Sequence, residues 1–503
     1  MHTRIAIIGS GFAGLGAAIR LKRDGIDDFL VFERACDVGG TWRDNTYPGC
    51  ACDVESHLYS LSFALEPGWT RRFSRQPEIW AYLQRCAREF AILPHVRFKH
   101  EVQSAQWSDR ARRWELDTTG GSFTADVLVV AAGPLSDPIT PDLPGLSRFE
   151  GRAFHSAQWD HGIDLRGRHV AVIGTGASAI QFIPEIQKRV AALHLFQRTP
   201  AWVLPRPDGR IPASHQRLYR RLPILQRATR LAIYLFRESF VVTFAHPALM
   251  RPARRLALWN MTRSIADPAL RARLTPAYAM GCKRILLSSE YYPAVAQSNV
   301  EVVTTGIREI RPHAIVDGEG MERTVDTIIF ATGFRPTDPP IARAIRGRKG
   351  LLLADAWQGS PKAHRGSTVS GFPNLFILLG PNTGLGHNSV VYMTEAQIDH
   401  LLGALRYMQT SGVRVIEPTP DAQGRWVNAI DRRMRGTVWM TGGCASWYVD
   451  RTGRNSTLWP GSSWSFYRRV SRFRPADYQS TADTAVTVGG AGLATLHESF
   501  MPH

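Results

Sequence analysis

The chain has 503 residues, 44% of them hydrophobic and 21% charged, with a formal net charge of +18. That length is too great for one hydrophobic core and predicts two or three domains of ordinary globular composition. The basic balance arrives without a nucleic-acid-binding motif, so nucleic acid is not an expected partner.

In chain order, Met-His-Thr-Arg runs directly into Arg4-Ile-Ala-Ile-Ile8, an apolar run of the fully buried, parallel-strand type, and no targeting segment is expected ahead of it. The run delivers Gly9-Ser-Gly11-Phe-Ala-Gly14, and Leu15 to Arg23 continues as an apolar helix. Gly9 permits a tight turn, Gly11 lets backbone approach a pyrophosphate, and Gly14 lets helix and strand pack closely. The helix N-terminus offers free N–H groups and partial positive charge to phosphates. A second strand, Phe29 to Glu33, ends in an acid 24 residues after Gly9, where a carboxylate accepts from an adenosine ribose.

Gly39-Gly40-Thr41-Trp42 through Tyr47-Pro48-Gly49 to Asp53 reads as a loop punctuated by Gly-Gly and Pro-Gly. The six cysteines (36, 50, 52, 86, 282 and 444) show no CxxC pair and no disulfide-framework spacing, so a reducing cytoplasm is the expectation. Cys50-x-Cys52 has no second Cys/His cluster nearby, and no metal site is expected. Ala125 to Gly133 is a further buried strand, echoed by Val325 to Gly333 in a loose internal repeat.

The second copy opens with Val170-Ala-Val-Ile-Gly174-Thr-Gly176-Ala-Ser178-Ala179, again strand, glycine turn and helix start. Two such folds in one chain imply two dinucleotides. The copies differ where they are most informative: Arg198, followed by Thr199, stands 24 residues after Gly174, matching Glu33 in the first copy. An arginine cannot accept from a ribose hydroxyl but binds a 2′-phosphate, which predicts NADPH rather than NADH.

Residues 211–276 read as an Arg-rich helical insertion. No acid occurs from Gly209 to Arg237, while Leu218, Leu222, Leu225 and Thr229 recur at helical spacing. A basic amphipathic helix of this kind lies on an anionic membrane surface, or packs its apolar side on the core and leaves its arginines solvated. The packed arrangement is the expectation, with peripheral membrane contact as the other. The apolar stretch Leu231 to Met250 is interrupted by Arg237-Glu238, and its uncharged remainder, Ser239 to Met250, is too short to span a bilayer. The tail, 479–503, is small, polar and weakly periodic, and is expected to be poorly ordered.

Two further stretches carry a family likeness. Phe149-x-Gly151-x-x-x-His155-x-x-x-Trp159-Asp160, and the Gly39 to Asp53 loop, resemble the two fingerprints of flavin-containing monooxygenases of the Baeyer–Villiger type. The resemblance covers roughly residues 1–470 and implies two Rossmann-like α/β domains. FAD would belong to 1–148 and 341–478, NADPH to 149–210 and 277–340, with the insertion at 211–276 helping to shape the substrate pocket. It implies insertion of one oxygen atom from dioxygen beside a ketone carbonyl, through a peroxyflavin, to give an ester or lactone.

By that resemblance Arg284, in Cys282-Lys283-Arg284, is the active-site arginine, always charged and able to stabilise an anionic oxygen. Asp53 holds it in place beside the flavin ring. Lys283 is a second cation for the 2′-phosphate; Asn388, in the turn Pro381 to Asn388, returns to the flavin. Trp447, in Cys444-Ala-Ser-Trp447-Tyr448, faces the nicotinamide side. Gly40, Thr41, Trp42, Tyr47 and Ser178 join the cofactor-binding set, and His155 and Trp159 position linkers between domains. A flavin disulfide reductase would need a redox cysteine pair. Oxygenation of nitrogen or sulfur, the other activity of such enzymes, needs no stabilising arginine.

Overall fold

The computed structural model describes residues 1–482 of the chain. Two separate sheets repeat the same plan. In the first, β1 (His2–Ile8) lies between β2 (Phe29–Glu33) and β6 (Gly121–Val130), parallel to both; β3 (Val96–Phe98) flanks β2, and the antiparallel β4 (Val102–Ser108) and β5 (Arg113–Thr118) extend the other side. In the second, β7 (Arg152–His155), β8 (His169–Ile173), β9 (Ala192–Phe196), β10 (Val300–Val303) and β11 (Thr327–Phe330) form an all-parallel sheet of order β10–β9–β8–β11–β7. The central strands are near-continuous apolar runs because both faces are covered: Ile5, Ile7, Val170 and Val172 are fully buried.

The chain then returns to its beginning. β12 (Leu375–Ile377) pairs in parallel with Leu128–Val130 of β6, and the helix Val390–Thr410 packs on the helix Phe12–Arg23 that follows β1. The strand Val413–Pro418 pairs antiparallel with Tyr478–Ala482. Residues 479–482, expected in a poorly ordered tail, are therefore in a ladder, sealed by the buried Tyr478 hydroxyl against Thr368 and His400. The rest of that expectation, 483–503, lies outside the described residues.

The insertion is helical as expected, with helices at Ala213–Arg221, Pro223–Ser239, Val241–Ala245, Arg251–Thr262 and Pro268–Leu274. Its orientation corrects the sequence reading twice. The helix over Leu218 to Thr229 is broken at Leu222, because Pro223 starts a new helix at its first position. Nor does the expected leucine stripe pack on the core: Leu218, Leu222 and Leu225 are all exposed, the buried residue of Pro223–Ser239 is Gln226, and only Ile233 and Tyr234 of that helix lean on the core. No helix among the described residues is long and apolar enough to cross a membrane.

Cysteine pairing is a third correction. Cys282 and Cys444 form a disulfide across 162 residues of sequence, with Cα atoms 6.2 Å apart. Spacing along the chain carried no trace of it, since folding alone lays the loop around residue 444 over Gly281-Cys282. The bridge departs from the expectation of a fully reduced chain and ties the segment before Lys283 and Arg284 to the one before Trp447. The thiols of Cys50 and Cys52 are free and buried, and burial pushes that of Cys50 up to about 12. No cluster of His, Cys, Asp or Glu among the described residues has the make-up of a metal site.

Candidate active site

Each glycine turn is built by close backbone contact. A Cβ on Gly9 would sit 2.7 Å from the Ala131 carbonyl oxygen, and one on Gly174 would sit 2.5 Å from that of Ala331. Both glycines have positive φ, 99° and 108°, so each turn needs glycine on two counts. At Gly14 a methyl would lie 1.9 Å from the Gly9 oxygen. The second copy carries Ala179 in that place, fully buried and opening the helix Ala179–Ile186 behind Ser178. Neither Gly11 nor Ser178, the N-caps, supplies a side-chain hydrogen bond to its helix, so both termini keep N–H groups for phosphate. Gly40 closes on Gly11, where a Cβ would meet Gly11 Cα at 3.1 Å.

Glu33 ends β2 and is buried. Its Oε2 accepts from Ser10 N at 3.1 Å and Ser10 Oγ at 2.6 Å, and its Oε1 from Ala35 N at 2.9 Å and Arg43 Nη1 at 2.9 Å. Burial alone would raise its pKa; the Arg43 charge and these donors outweigh burial and hold the carboxyl below its ordinary value.

Arg198 lies two residues beyond β9 and is exposed. Lys283 sits close enough that burial, and next the Arg198 charge, hold its ammonium below the ordinary lysine value. Lys283 Nζ also stands 5.2 Å over the Tyr278 ring. Neither cation meets a carboxylate among the described residues. Thr199 accepts from Thr175 Oγ1 through its carbonyl at 3.0 Å, bracing the edge of the second turn.

The loop before Asp53 is clamped between the halves. Trp42 is buried and donates to Tyr59 at 3.1 Å, while Thr41 opens the short helix that carries it. Tyr47 donates to Gln181 Oε1 at 3.1 Å; Gln181 also accepts from Ala51 N at 3.2 Å and donates to Ala51 O at 3.1 Å. Gln181 belongs to the helix of the second turn, so this amide joins the two halves.

Asp53 and Arg284, 231 residues apart, meet inside the cavity. Arg284 Nε and Nη2 approach Asp53 Oδ2 at 2.7 and 2.6 Å. Burial would raise the Asp53 pKa, but the Arg284 guanidinium overrides it and holds the carboxyl below the usual carboxylate range. In return the Asp53 charge drives Arg284 further up. Two residues the sequence did not single out reinforce the pair. Arg237 donates to Asp53 O at 3.0 Å and to Glu55 Oε2 at 2.8 Å, and Arg206 donates to Cys52 O at 3.0 Å. Tyr448, next to Trp447, is buried beside Arg284, and burial pushes its hydroxyl up to about 12.

Of the remaining expected residues, Asn388 and Trp447 line the cavity, and His155 and Trp159 do not. Asn388 is buried, with its amide donating to Glu238 Oε2 at 2.7 Å and its own oxygen accepting from Ser389 N, so it pins the turn to the insertion. Trp447 lies half open at the cavity edge, its ring 4.4 Å from that of Tyr448. His155 is buried and neutral, burial lowering it to about 4, and accepts from Ala157 N. Trp159 packs on Phe154 and Phe182.

A cavity of about 1700 Å³ takes in both glycine turns, Glu33, Asp53, Arg198, Lys283, Arg284 and Trp447. It exceeds the roughly 300–1,000 Å³ of a site for one small molecule. Residues 2–227 match the family model described as flavin-binding monooxygenase-like. A "Baeyer-Villiger monooxygenase" of Streptomyces coelicolor is 51% identical over 490 residues, covering 97% of this chain and 94% of the relative. The chain belongs to the Baeyer–Villiger monooxygenase family. Solved members of that fold superpose along nearly the whole length. One described as OTEMO in complex with FAD and NADP has a TM-score of 0.86 at 27% identity, covering 95% of this chain and 99% of that one. Another, cyclohexanone monooxygenase from Rhodococcus sp. Phi1 bound to NADP+, has a TM-score of 0.85 at 28% identity, covering 96% and 99%. The paired turns and the Asp53–Arg284 contact are the features this Baeyer–Villiger monooxygenase chain brings to one cavity.

Proposed function

We propose that the chain uses NADPH, FAD and dioxygen to insert oxygen beside a ketone carbonyl, giving an ester or lactone. The Arg284–Asp53 pair, facing a cavity that joins two dinucleotide-type turns, is the observation that carries this reading. The residues fit the two nucleotides: a methyl at Gly9, Gly14 or Gly174 would fill the cradle, and both helix termini are left without side-chain caps. FAD belongs to residues 1–148 and 341–478, with Gly9, Gly11, Gly14 and Glu33 at its pyrophosphate and ribose and Gly40, Thr41, Trp42 and Tyr47 along its ring. NADPH belongs to 149–210 and 277–340, at Gly174, Gly176, Ser178, Arg198, Thr199 and Lys283. Reduced by NADPH, FAD supplies the oxygen-activating chemistry. Arg284 contributes a fixed charge where negative charge develops on oxygen, and in a partly desolvated site that is worth far more than in water. Asp53 orients the guanidinium by accepting at Nε and Nη2. Trp447 borders the same space, and Tyr448 is buried beside Arg284. Ketone-dependent NADPH oxidation, with ester identified by product mass, tests the proposal; a panel of ketones that yields no ester rejects it.

Arg198→Ala is expected to raise KM for NADPH roughly 10- to 100-fold, the size of one lost charged hydrogen bond, and to leave KM for NADH unchanged. Steady-state kinetics with both nucleotides checks this.

The Asp53 shift also fixes a pH dependence. Its folded pKa is depressed, so its contribution to stability is present above the ordinary carboxylate pKa and is lost as pH falls through the folded value. The thermal midpoint of the native chain should therefore exceed that of Asp53→Asn at neutral pH. The gap should close only below about pH 4, near the ordinary aspartate value. Melting curves of both proteins across pH measure it.

A further inference from the structure

The helix Pro223–Ser239 turns polar side chains toward the protein, beside Ile233 and Tyr234, which pack on the core, and leaves a second apolar side facing out. Inward, spaced about one turn apart, come Gln226, Arg230, Tyr234 and Arg237. Gln226 donates to Glu66 O at 2.6 Å, Arg230 to the carbonyls of His57 and Leu58 at 2.9 and 3.0 Å, and Arg237 to Glu55. Glu238, the one acid between residues 209 and 266, is also turned in, accepting from Ser463 and Asn388. Outward stand Ile224, Leu231, Leu235 and Phe236, at 66%, 55%, 57% and 61% exposure, with Phe240 edge-on to Phe236. Ile224, Leu231 and Leu235 fall at i, i+7 and i+11 on one face, separated by Ala228 and Ala232. The inward contacts fix that face, so it cannot roll under to bury itself.

The two helices Ala213–Arg221 and Pro223–Ser239 are arginine-rich. Arg217, Arg221 and Arg227 are exposed on the same pair of helices, and none meets a carboxylate among the described residues. A contiguous apolar patch of this kind marks an interaction surface. A second copy of the chain would bring arginine against arginine, because a two-fold interface sets the same patch on itself. An anionic bilayer offers what the patch needs at once: an apolar layer for the leucines and phosphates for the guanidinium groups.

We propose that this helix pair docks the enzyme on an anionic lipid surface, lying in the interface rather than crossing it. The docking face is one side chain from the reaction centre, since Arg237 joins the helix to Glu55 and to the Asp53 carbonyl.

Co-sedimentation of the full-length, flavin-loaded protein with vesicles tests it. Against phosphatidylcholine alone, vesicles with half phosphatidylglycerol should bind about tenfold or more protein at low salt, and the excess should fall as salt rises. Leu231→Asp/Leu235→Asp should remain in the supernatant with its flavin absorbance and vesicle-free ketone turnover intact. Arg217→Ala/Arg221→Ala/Arg227→Ala, which leaves the apolar face untouched, should lose the preference for phosphatidylglycerol. Native protein that stays in the supernatant with both vesicles overturns the proposal, as does equal sedimentation of native protein and the aspartate variant. So does light scattering that shows a dimer which the aspartate variant splits, because a second copy then covers the face.

Discussion

Arg284→Ala should lower ester formation by about 10²- to 10³-fold, the scale seen when one preorganised charge stabiliser is removed from an active site. Flavin reduction by NADPH should continue, because the second glycine turn, Arg198 and Lys283 do not depend on Arg284. The two half-reactions are therefore expected to separate: rapid bleaching of the flavin in anaerobic stopped flow, and no ester by product mass under air. Arg284→Lys supplies a sharper comparison. It keeps the charge but loses the fork that sets both Nε and Nη2 on Asp53. Its rate should fall between the native and alanine proteins. Normal ester formation by Arg284→Ala would remove the arginine from the chemistry. Asp53 complicates the reading, since its carboxylate loses its principal counter-charge in the alanine variant. Asp53→Asn/Arg284→Ala resolves this: if the loss stems from the missing cation, the double variant remains as inactive as the single one.

The second large effect is steric. Gly14→Ala places a methyl 1.9 Å from the Gly9 oxygen, a contact with backbone on both sides that no rotamer relieves. Either the turn opens or the helix Phe12–Arg23 lifts from β1, and either movement destroys the cradle for the first pyrophosphate. The protein should purify colourless, or as insoluble material, with the flavin-to-protein absorbance ratio near zero. Gly424→Ala, in the helix Pro420–Met434 with open space at its Cβ, is the control. It should keep its flavin and gain up to about 1 kcal/mol in stability, the ordinary difference between glycine and alanine in a helix.

The two turns were legible in the sequence because everything that makes them is local. Strand, glycine spacing and the residue 24 positions on lie within one βαβ unit, and their physics does not depend on the remainder of the chain. Arg284 and Asp53 were reachable only through family likeness, since nothing in either segment reports a neighbour 231 residues away. Gln181 was hidden for the same reason: an ordinary polar residue on a helix, it becomes a brace only when the Tyr47–Ala51 loop is laid across it. Tyr448 was overshadowed by Trp447, although the buried ring beside the guanidinium is the tyrosine. The insertion failed in a more instructive way. Periodicity from Leu218 to Thr229 runs through the break at Leu222, and it does not say which face meets water. The usual assumption, apolar side in, fails for the leucines because Gln226, Arg230 and Arg237 find carbonyls and a carboxylate on the protein side, beside Ile233 and Tyr234.

The return of Leu375–Ile377 to the edge of β6 has a consequence for biosynthesis. The sheet begun at His2 is incomplete until the ribosome has delivered residue 377, whereas the five strands of the other sheet, from Arg152 to Phe330, are all available earlier. The inner half should thus mature while the opening segment still waits for its closing strand, with the β6 edge exposed to wrong partners in the interval. Fragments that stop short of residue 375 should accumulate in inclusion bodies, and nascent chains should acquire flavin only near the end of translation.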